Sequence, residues 1–153
     1  MLITKTKLLT SIQQNQINKL WNAEYPIKLR NRFPLLLKDV LIFNHYYVED
    51  ENQLIIAWAV DFEKDNETRF SIIVDSNFKG KGLGKLLIDK IKQENTKFYG
   101  WVIDHDLDLK ENGEVYQSPI NFYLKQGFIL LAESRLDSEM IKAVKIKWLK
   151  TYL

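Results

Sequence analysis

Phe70-Ser-Ile-Ile-Val-Asp-Ser-Asn-Phe-Lys-Gly-Lys-Gly-Leu-Gly-Lys-Leu-Leu-Ile-Asp-Lys-Ile91 decides the fold. Ile72, Ile73 and Val74 are a short β-branched run bounded by polar residues, which predicts a buried strand. Gly80, Gly82 and Gly84 then alternate with Lys79, Lys81 and Lys85. Leu83, Leu86, Leu87 and Ile91 follow at helical spacing and form one apolar face. The glycines therefore stand where a helix begins. Its free N–H groups and positive dipole end favour an anion there, by up to ~2 kcal/mol in a partly buried site. Without a Cβ, a glycine lets a phosphate reach the backbone and tolerates a positive φ.

The spacing excludes two familiar phosphate loops. A P-loop ends in Gly-Lys-Ser/Thr and opens on a Gly five residues earlier. Here Gly84-Lys85 precedes Leu86, and Lys79 stands where the first Gly belongs. A dinucleotide fingerprint, G-x-G-x-x-G, would need its third glycine at Lys85 or Leu87. A glycine-rich β–α turn with no ligand remains open on these residues alone. The remaining pattern, Lys79-x-x-Gly82-x-Gly84, resembles the R/Q-x-x-G-x-G/A loop of the GNAT superfamily of acyl-CoA-dependent N-acetyltransferases, which holds the pyrophosphate of coenzyme A.

Composition bounds the alternatives. A chain of 153 residues, 46% hydrophobic, predicts one globular domain over 1–153 that buries ~70% of its unfolded surface. The 22 basic and 20 acidic residues leave a net charge of +2, too balanced for a nucleic-acid footprint. With no cysteine, disulfides, thiolate metal sites and a cysteine acyl-enzyme are impossible. No metal requirement is expected. The opening residues lack the unbroken apolar core of a signal peptide, and no apolar run approaches ~20 residues, so no membrane association and a cytoplasmic location are expected.

Around the central stretch the pattern predicts the following elements. Residues 2–9 alternate weakly as a first strand. Thr10-Ser-Ile-Gln13 is a capping box opening a helix to about Ala23, stopped by Pro26. Residues 27–38 suggest a second short helix. His45–Val48 and Leu54–Phe62 are strands, with His45 on the surface, and a third strand leads into the glycine loop. A helix to about Asn95 and a strand over 97–103 follow. Ser118 and Pro119 start another helix as N-cap and N1. Gly127 ends it, with Phe128 packing back. Strands over 129–135 and 144–148 complete a mixed, mostly antiparallel sheet of about six to seven strands flanked by about four helices, an α/β (α+β) architecture.

Asn121-Phe-Tyr-Leu-Lys-Gln-Gly-Phe128 resembles the F/L-Y-x-x-x-G-F helix end that follows the glycine-loop helix in GNAT enzymes. Two short motifs in the right order and context support each other. The resemblance implies acetyl-CoA as co-substrate and direct transfer of its acetyl group to a primary amine through a tetrahedral intermediate. The acceptor would be a small molecule or a peptide, and the protein a monomer or homodimer. It places the backbone N–H groups of Ile73 and Val74 at the thioester carbonyl. Gly80, Lys81, Gly82, Leu83, Gly84 and Lys85, with Lys79, fall on the pyrophosphate. Tyr123 falls beside the sulfur as general acid. Lys79 replaces the usual Arg or Gln, keeping the charge without the planar fork. Tyr116 and Pro119 stand where an Asn and a small residue are usual, which leaves Asn121 or Asn112 to hold the cofactor arm. A non-catalytic CoA-binding module, and an acyltransferase with another acyl group or a hydroxyl acceptor, are the alternatives.

The base is open. Asp104 and His105 end a central strand, where ligands of α/β sheets gather, and Asp61 and Glu63 compete with them. Residues 104–114 carry five carboxylates and one lysine. Near Trp101 and Tyr116 they would favour a cationic acceptor; an ordinary solvated loop is the other reading.

Overall fold

The computed structural model describes residues 1–151 and gathers seven strands into one sheet. In chain order the elements are β1 (Thr4–Thr6), α1 (Ser11–Glu24), β2 (Phe43–Glu49), β3 (Ile55–Lys64), β4 (Glu67–Val74), α2 (Leu83–Glu94), β5 (Lys97–Ile103), α3 (Ile120–Lys125), β6 (Ile129–Asp137) and β7 (Lys142–Leu149). Their order across the sheet is β1-β2-β3-β4-β5-β7-β6. Only β4 and β5, joined through α2, run parallel. This is the expected mixed, mostly antiparallel sheet.

Among the described residues three α-helices form rather than about four. The short helix expected over 27–38 is instead two 3₁₀ turns, Ile27–Leu29 and Phe33–Leu35. Asn31 lies between them at φ 62°, a left-handed value that interrupts any α-helix. Pro34 has no N–H to extend one. The α1 capping box forms in full: Gln13 N–H donates to Thr10 Oγ1 at 3.1 Å, and Thr10 N–H donates to Gln13 Oε1 at 3.0 Å. At α3, Pro119 is the N-cap, one residue later than the expected cap at Ser118. Its other end is a Schellman turn: Phe128 N–H donates to Tyr123 O and Gly127 N–H to Leu124 O, both at 3.1 Å, with Gly127 at φ 89°.

The sheet is covered on both faces. Ala57 and Ala59 leave room for α2, whose Leu87, Ile88 and Ile91 are fully buried against them. Burying each such side chain is worth ~1.5–3 kcal/mol. On the opposite face Trp58, Val60 and Phe62 meet Ile17, Leu20 and Trp21 of α1. His45, expected on the surface, lies inside instead. It is 4% exposed, and its Nδ1 accepts a hydrogen bond from Trp58 Nε1 at 3.0 Å. β2 is an interior strand between β1 and β3, so a polar residue in it can lie inside. Burial lowers the His45 pKa to about 4.

The feature that positions the site is an interruption in the sheet. β4 and β5 share a single ladder pair, Arg69 with Tyr99. One residue further on, the Phe70 ring occupies the space that a Cβ on Gly100 would need. Beyond this wedge Ile72–Val74 and Trp101–Ile103 have no ladder pairs with each other, and a notch opens at the C-terminal ends of both strands.

Candidate active site

A cleft of about 1090 Å³ runs through the notch from the glycine loop on one side to the α1 face of the sheet on the other. Its first wall is local sequence. Asp75 closes a 3₁₀ turn over Ser76–Phe78 by accepting from Asn77 N–H at 2.9 Å. The chain then turns through Gly80 (φ 80°) and Gly82 (φ 76°), each with nothing within 4 Å of where a Cβ would stand. Gly82 is the N-cap of α2, and no side chain caps this end. The first helical bond inward runs from Leu86 N–H to Gly82 O at 3.0 Å. The N–H groups of Leu83, Gly84 and Lys85 are thus the orphan donors of the helix start. At Gly84 a Cβ would stand 3.2 Å from the Phe122 ring, so a larger residue there needs that ring to give by a few tenths of an ångström. An open backbone with left-handed turns, free N–H groups and flanking lysines fits a diphosphate.

The notch itself supplies backbone groups. Asp75 N–H donates to Ile56 O on the β3 side at 2.9 Å. Strand alternation therefore turns Ile73 toward β3, and the Val74 N–H and Ile72 C=O toward the open side. The Tyr25 hydroxyl, donating to Ile72 O at 3.3 Å, marks that side as the cleft. Three tyrosines converge here. Tyr25 and Tyr116 meet edge to face with ring centroids 6.3 Å apart, and Tyr123 is buried against Phe70 and Phe128. Burial pushes the Tyr25 hydroxyl up to about 12. It also raises Tyr116 and Tyr123 above their ordinary value. All three hydroxyls keep their protons at neutral pH.

Of the residues singled out from sequence, Ile73, Val74, Lys79, Gly80, Gly82, Leu83, Gly84, Lys85 and Tyr123 line this one cleft. Lys81 stands exposed with its Nζ over the Phe78 ring, and Asn121 is exposed on α3. Asn112 is tied up accepting from Glu114 N–H. Asp104 is held by Arg135 at 2.7 Å, which keeps its carboxyl below the ordinary carboxylate value. His105 borders a separate hollow with Lys28 and Asp108. Asp61 is buried on the α2 face, accepting from Tyr46 Oη and Asn95 Nδ2. Glu63 accepts from Thr68 Oγ1 in the exposed β3–β4 hairpin.

The acidic segment does not face the cleft. Asp106 accepts from Ser118 N–H, Asp108 pairs with Lys28 at 3.2 Å and Glu111 with Arg30 at 4.0 Å. Asp104 is taken by Arg135, and Glu114 is exposed. None of the five carboxylates expected to favour a cationic acceptor lines the cleft. Sequence reading missed Tyr25 and the joint formed by Glu24, Ser76 and Lys110. There Lys110 Nζ lies 3.2 Å from Glu24 Oε1, and Ser76 donates both its N–H and its hydroxyl to the same carboxylate. These partners lie far apart in the chain, and no local pattern announces them.

A family model described as the acetyltransferase (GNAT) domain matches residues 43–130. No curated protein matches the chain in sequence. Among solved structures, the aminoglycoside 6'-N-acetyltransferase from Enterococcus faecium superposes with TM-score 0.70 at 12% identity, over 97% of each chain. A GNAT superfamily phosphinothricin acetyltransferase from Sinorhizobium meliloti, in complex with AcCoA, gives 0.63 at 14% identity, over 98% of this chain and 90% of that one. The spermidine/spermine N-acetyltransferase from Vibrio cholerae gives 0.58 at 19% identity, over 96% and 92%. At these identities the likeness is one of fold.

Proposed function

Since the chain belongs to the GNAT acetyltransferase family, we propose that it moves the acetyl group of acetyl-CoA directly onto a primary amine. The observation that carries this reading is the notch. It brings an outward-facing Val74 N–H, the bare helix start at Gly82 and the buried Tyr123 to one cleft. The α2 N–H groups, that of Lys85 among them, and Lys79 hold the pyrophosphate; the Lys85 Nζ is paired with Asp89 at 2.6 Å. The Val74 N–H donates to the thioester oxygen as negative charge grows on it, which is where an oriented donor gains most. Tyr123, protonated at neutral pH as phenols are, donates to the sulfur as the C–S bond breaks. As the new C–N bond forms, the amine loses its proton to solvent in the open cleft.

Neither Asp104 nor His105 borders this cleft, and we give neither the role of base. Ile73 contributes its side chain to the α1-face wall rather than its N–H. The structural neighbours include enzymes for an aminoglycoside and for spermidine, and an amine acceptor in this chain follows that common chemistry. The test is free-thiol release from acetyl-CoA across a panel of primary amines. Turnover with at least one amine, lost in Tyr123→Phe while acetyl-CoA still binds, is the expected result. A protein that binds acetyl-CoA and consumes it with none would be a non-catalytic CoA-binding module.

A further inference from the structure

We propose that Tyr25 receives the acceptor amine: its hydroxyl oxygen accepts an N–H of the amine and holds it beside the acyl group. This inference rests on the transfer reading above and adds to it the group that orients the nucleophile.

Tyr25 is anchored through its backbone and its ring alike. It is the C-cap of α1, and its N–H donates to Trp21 O at 3.1 Å. Before it in the chain, Glu24 is tied to Lys110 and to Ser76 at the start of the glycine-loop turn. After it, Pro26 is fully buried and Ile27 N–H donates to Leu109 O at 2.8 Å. The ring stands edge to face with Trp21, centroids 4.6 Å apart, and with Tyr116 at 6.3 Å. A phenol held this firmly carries its hydroxyl to one place. That place is the notch, where the hydroxyl donates to Ile72 O at 3.3 Å and both residues line the cleft.

The direction of that bond decides what the hydroxyl offers. Tyr25 has one proton to donate, and Ile72 O takes it. The group presented to the cleft is therefore an acceptor. An N–H of the incoming amine meets it, while the nitrogen lone pair stays free to attack. Tyr25 neither gives nor takes a proton in the step. The nitrogen lone pair forms the C–N bond, the C–S bond breaks, the sulfur takes the Tyr123 proton and the amine proton leaves to solvent. Burial outweighs the nearby Ser71 hydroxyl and raises the Tyr25 pKa to about 12, so the phenol stays neutral throughout.

Position follows from the strand edge. Ile72 C=O and Val74 N–H face the same side, one two-residue repeat or ~7 Å apart. An amine on the Tyr25 hydroxyl stands next to an acyl oxygen held on the Val74 N–H, and such placement lowers the barrier to attack. The two carboxylates that line the cleft are otherwise engaged. Glu24 is taken by Lys110 and Ser76, and Asp65, in the β3–β4 hairpin, pairs with Arg69 at 3.2 Å.

The test uses Tyr25→Phe, which keeps the ring that meets Trp21 and Tyr116. Thiol release from acetyl-CoA is measured with n-butylamine, benzylamine and every amine of the panel that turns over. kcat/KM for the amine should fall about tenfold, as the loss of one hydrogen bond gives. The Kd of a non-reactive thioether analogue of acetyl-CoA should stay unchanged, and the pH profile should keep its shape. An unaltered kcat/KM, an equal loss of analogue affinity, as a merely structural tie between α1 and β4 would give, or a lost limb of the pH profile would overturn the proposal. In parallel, n-butylamine is titrated into protein with tyrosine isotopically labelled at Cζ and the thioether analogue bound. The Tyr25 resonance, identified by its absence in Tyr25→Phe, should move. A shift without turnover would sink the transfer reading and leave the amine site standing. Turnover with a motionless Tyr25 resonance would do the reverse.

Discussion

Between Asp75 and Lys85 a single stretch of chain turns twice through left-handed glycines and offers its own backbone to the cleft. The wall that faces it is assembled from pieces. Tyr25 and Arg32 precede β2, Phe62 and Lys64 end β3, Trp101 lies on β5, and Leu136 and Ile141 belong to β6 and the turn after it. One arm presents N–H groups that every residue carries, and only their aim matters. The other presents side chains, each brought by a different element. Backbone recognition tolerates change in neighbouring side chains, whereas side-chain recognition is free to vary with the acceptor. The two arms meet at the notch, where Tyr123 stands beneath both.

Four measurements test that division. Tyr123→Phe acts at the meeting point and should lower kcat by ~10²–10⁴-fold with little change in acetyl-CoA affinity. A loss of affinity matching the loss of rate would make Tyr123 a packing residue instead. His45 belongs to neither arm and sets the baseline of global stability. Its folded pKa of about 4 lies below its ordinary 6.5, so the unfolded chain takes the proton first. The stabilisation is whole above pH ~6.5 and disappears by about pH 4, ~3 kcal/mol in all. Urea unfolding across that window should show the slope, and His45→Gln should flatten it.

Gly82→Val attacks the glycine-loop arm alone. A β-branched residue at φ 76° is strained wherever its side chain points. Acetyl-CoA at 100 times its Kd should stabilise the unaltered protein by ~2.7 kcal/mol. Thermal unfolding of the variant should show none of that shift, and a full shift would remove the loop from the site. Lys110→Met attacks the facing arm by leaving the Glu24 carboxylate with Ser76 only. It should cost about 1–2 kcal/mol and raise the acceptor KM several-fold without altering acetyl-CoA affinity. If calorimetry found acetyl-CoA weakened as much as the acceptor, the arms would be one unit coupled through Ser76.

Much of the glycine-loop arm was legible from residue order. The β-branched run, the alternating glycines and the helical spacing after Leu83 each constrain neighbours in sequence, and the Thr10 capping box and the Gly127–Phe128 turn are local in the same way. The segment over 27–38 misled because its apolar spacing suits a helix, while the left-handed Asn31 leaves no mark in that spacing. His45 misled because alternation along a strand does not say whether the strand is interior. The acidic run at 104–114 looked like one feature, yet its carboxylates are divided among Arg135, Ser118, Lys28 and Arg30.

By itself the sequence determined which backbone segment could cradle an anion, the order of strands and helices around it, and the absence of thiol chemistry. These follow from dihedral preferences and short-range periodicity, which act within a few residues. Only the tertiary structure decided that β4 and β5 part after Phe70 and that Val74 rather than Ile73 turns its N–H outward. Such outcomes depend on which distant side chains compete for the same partner, and that competition is settled when the sheet closes.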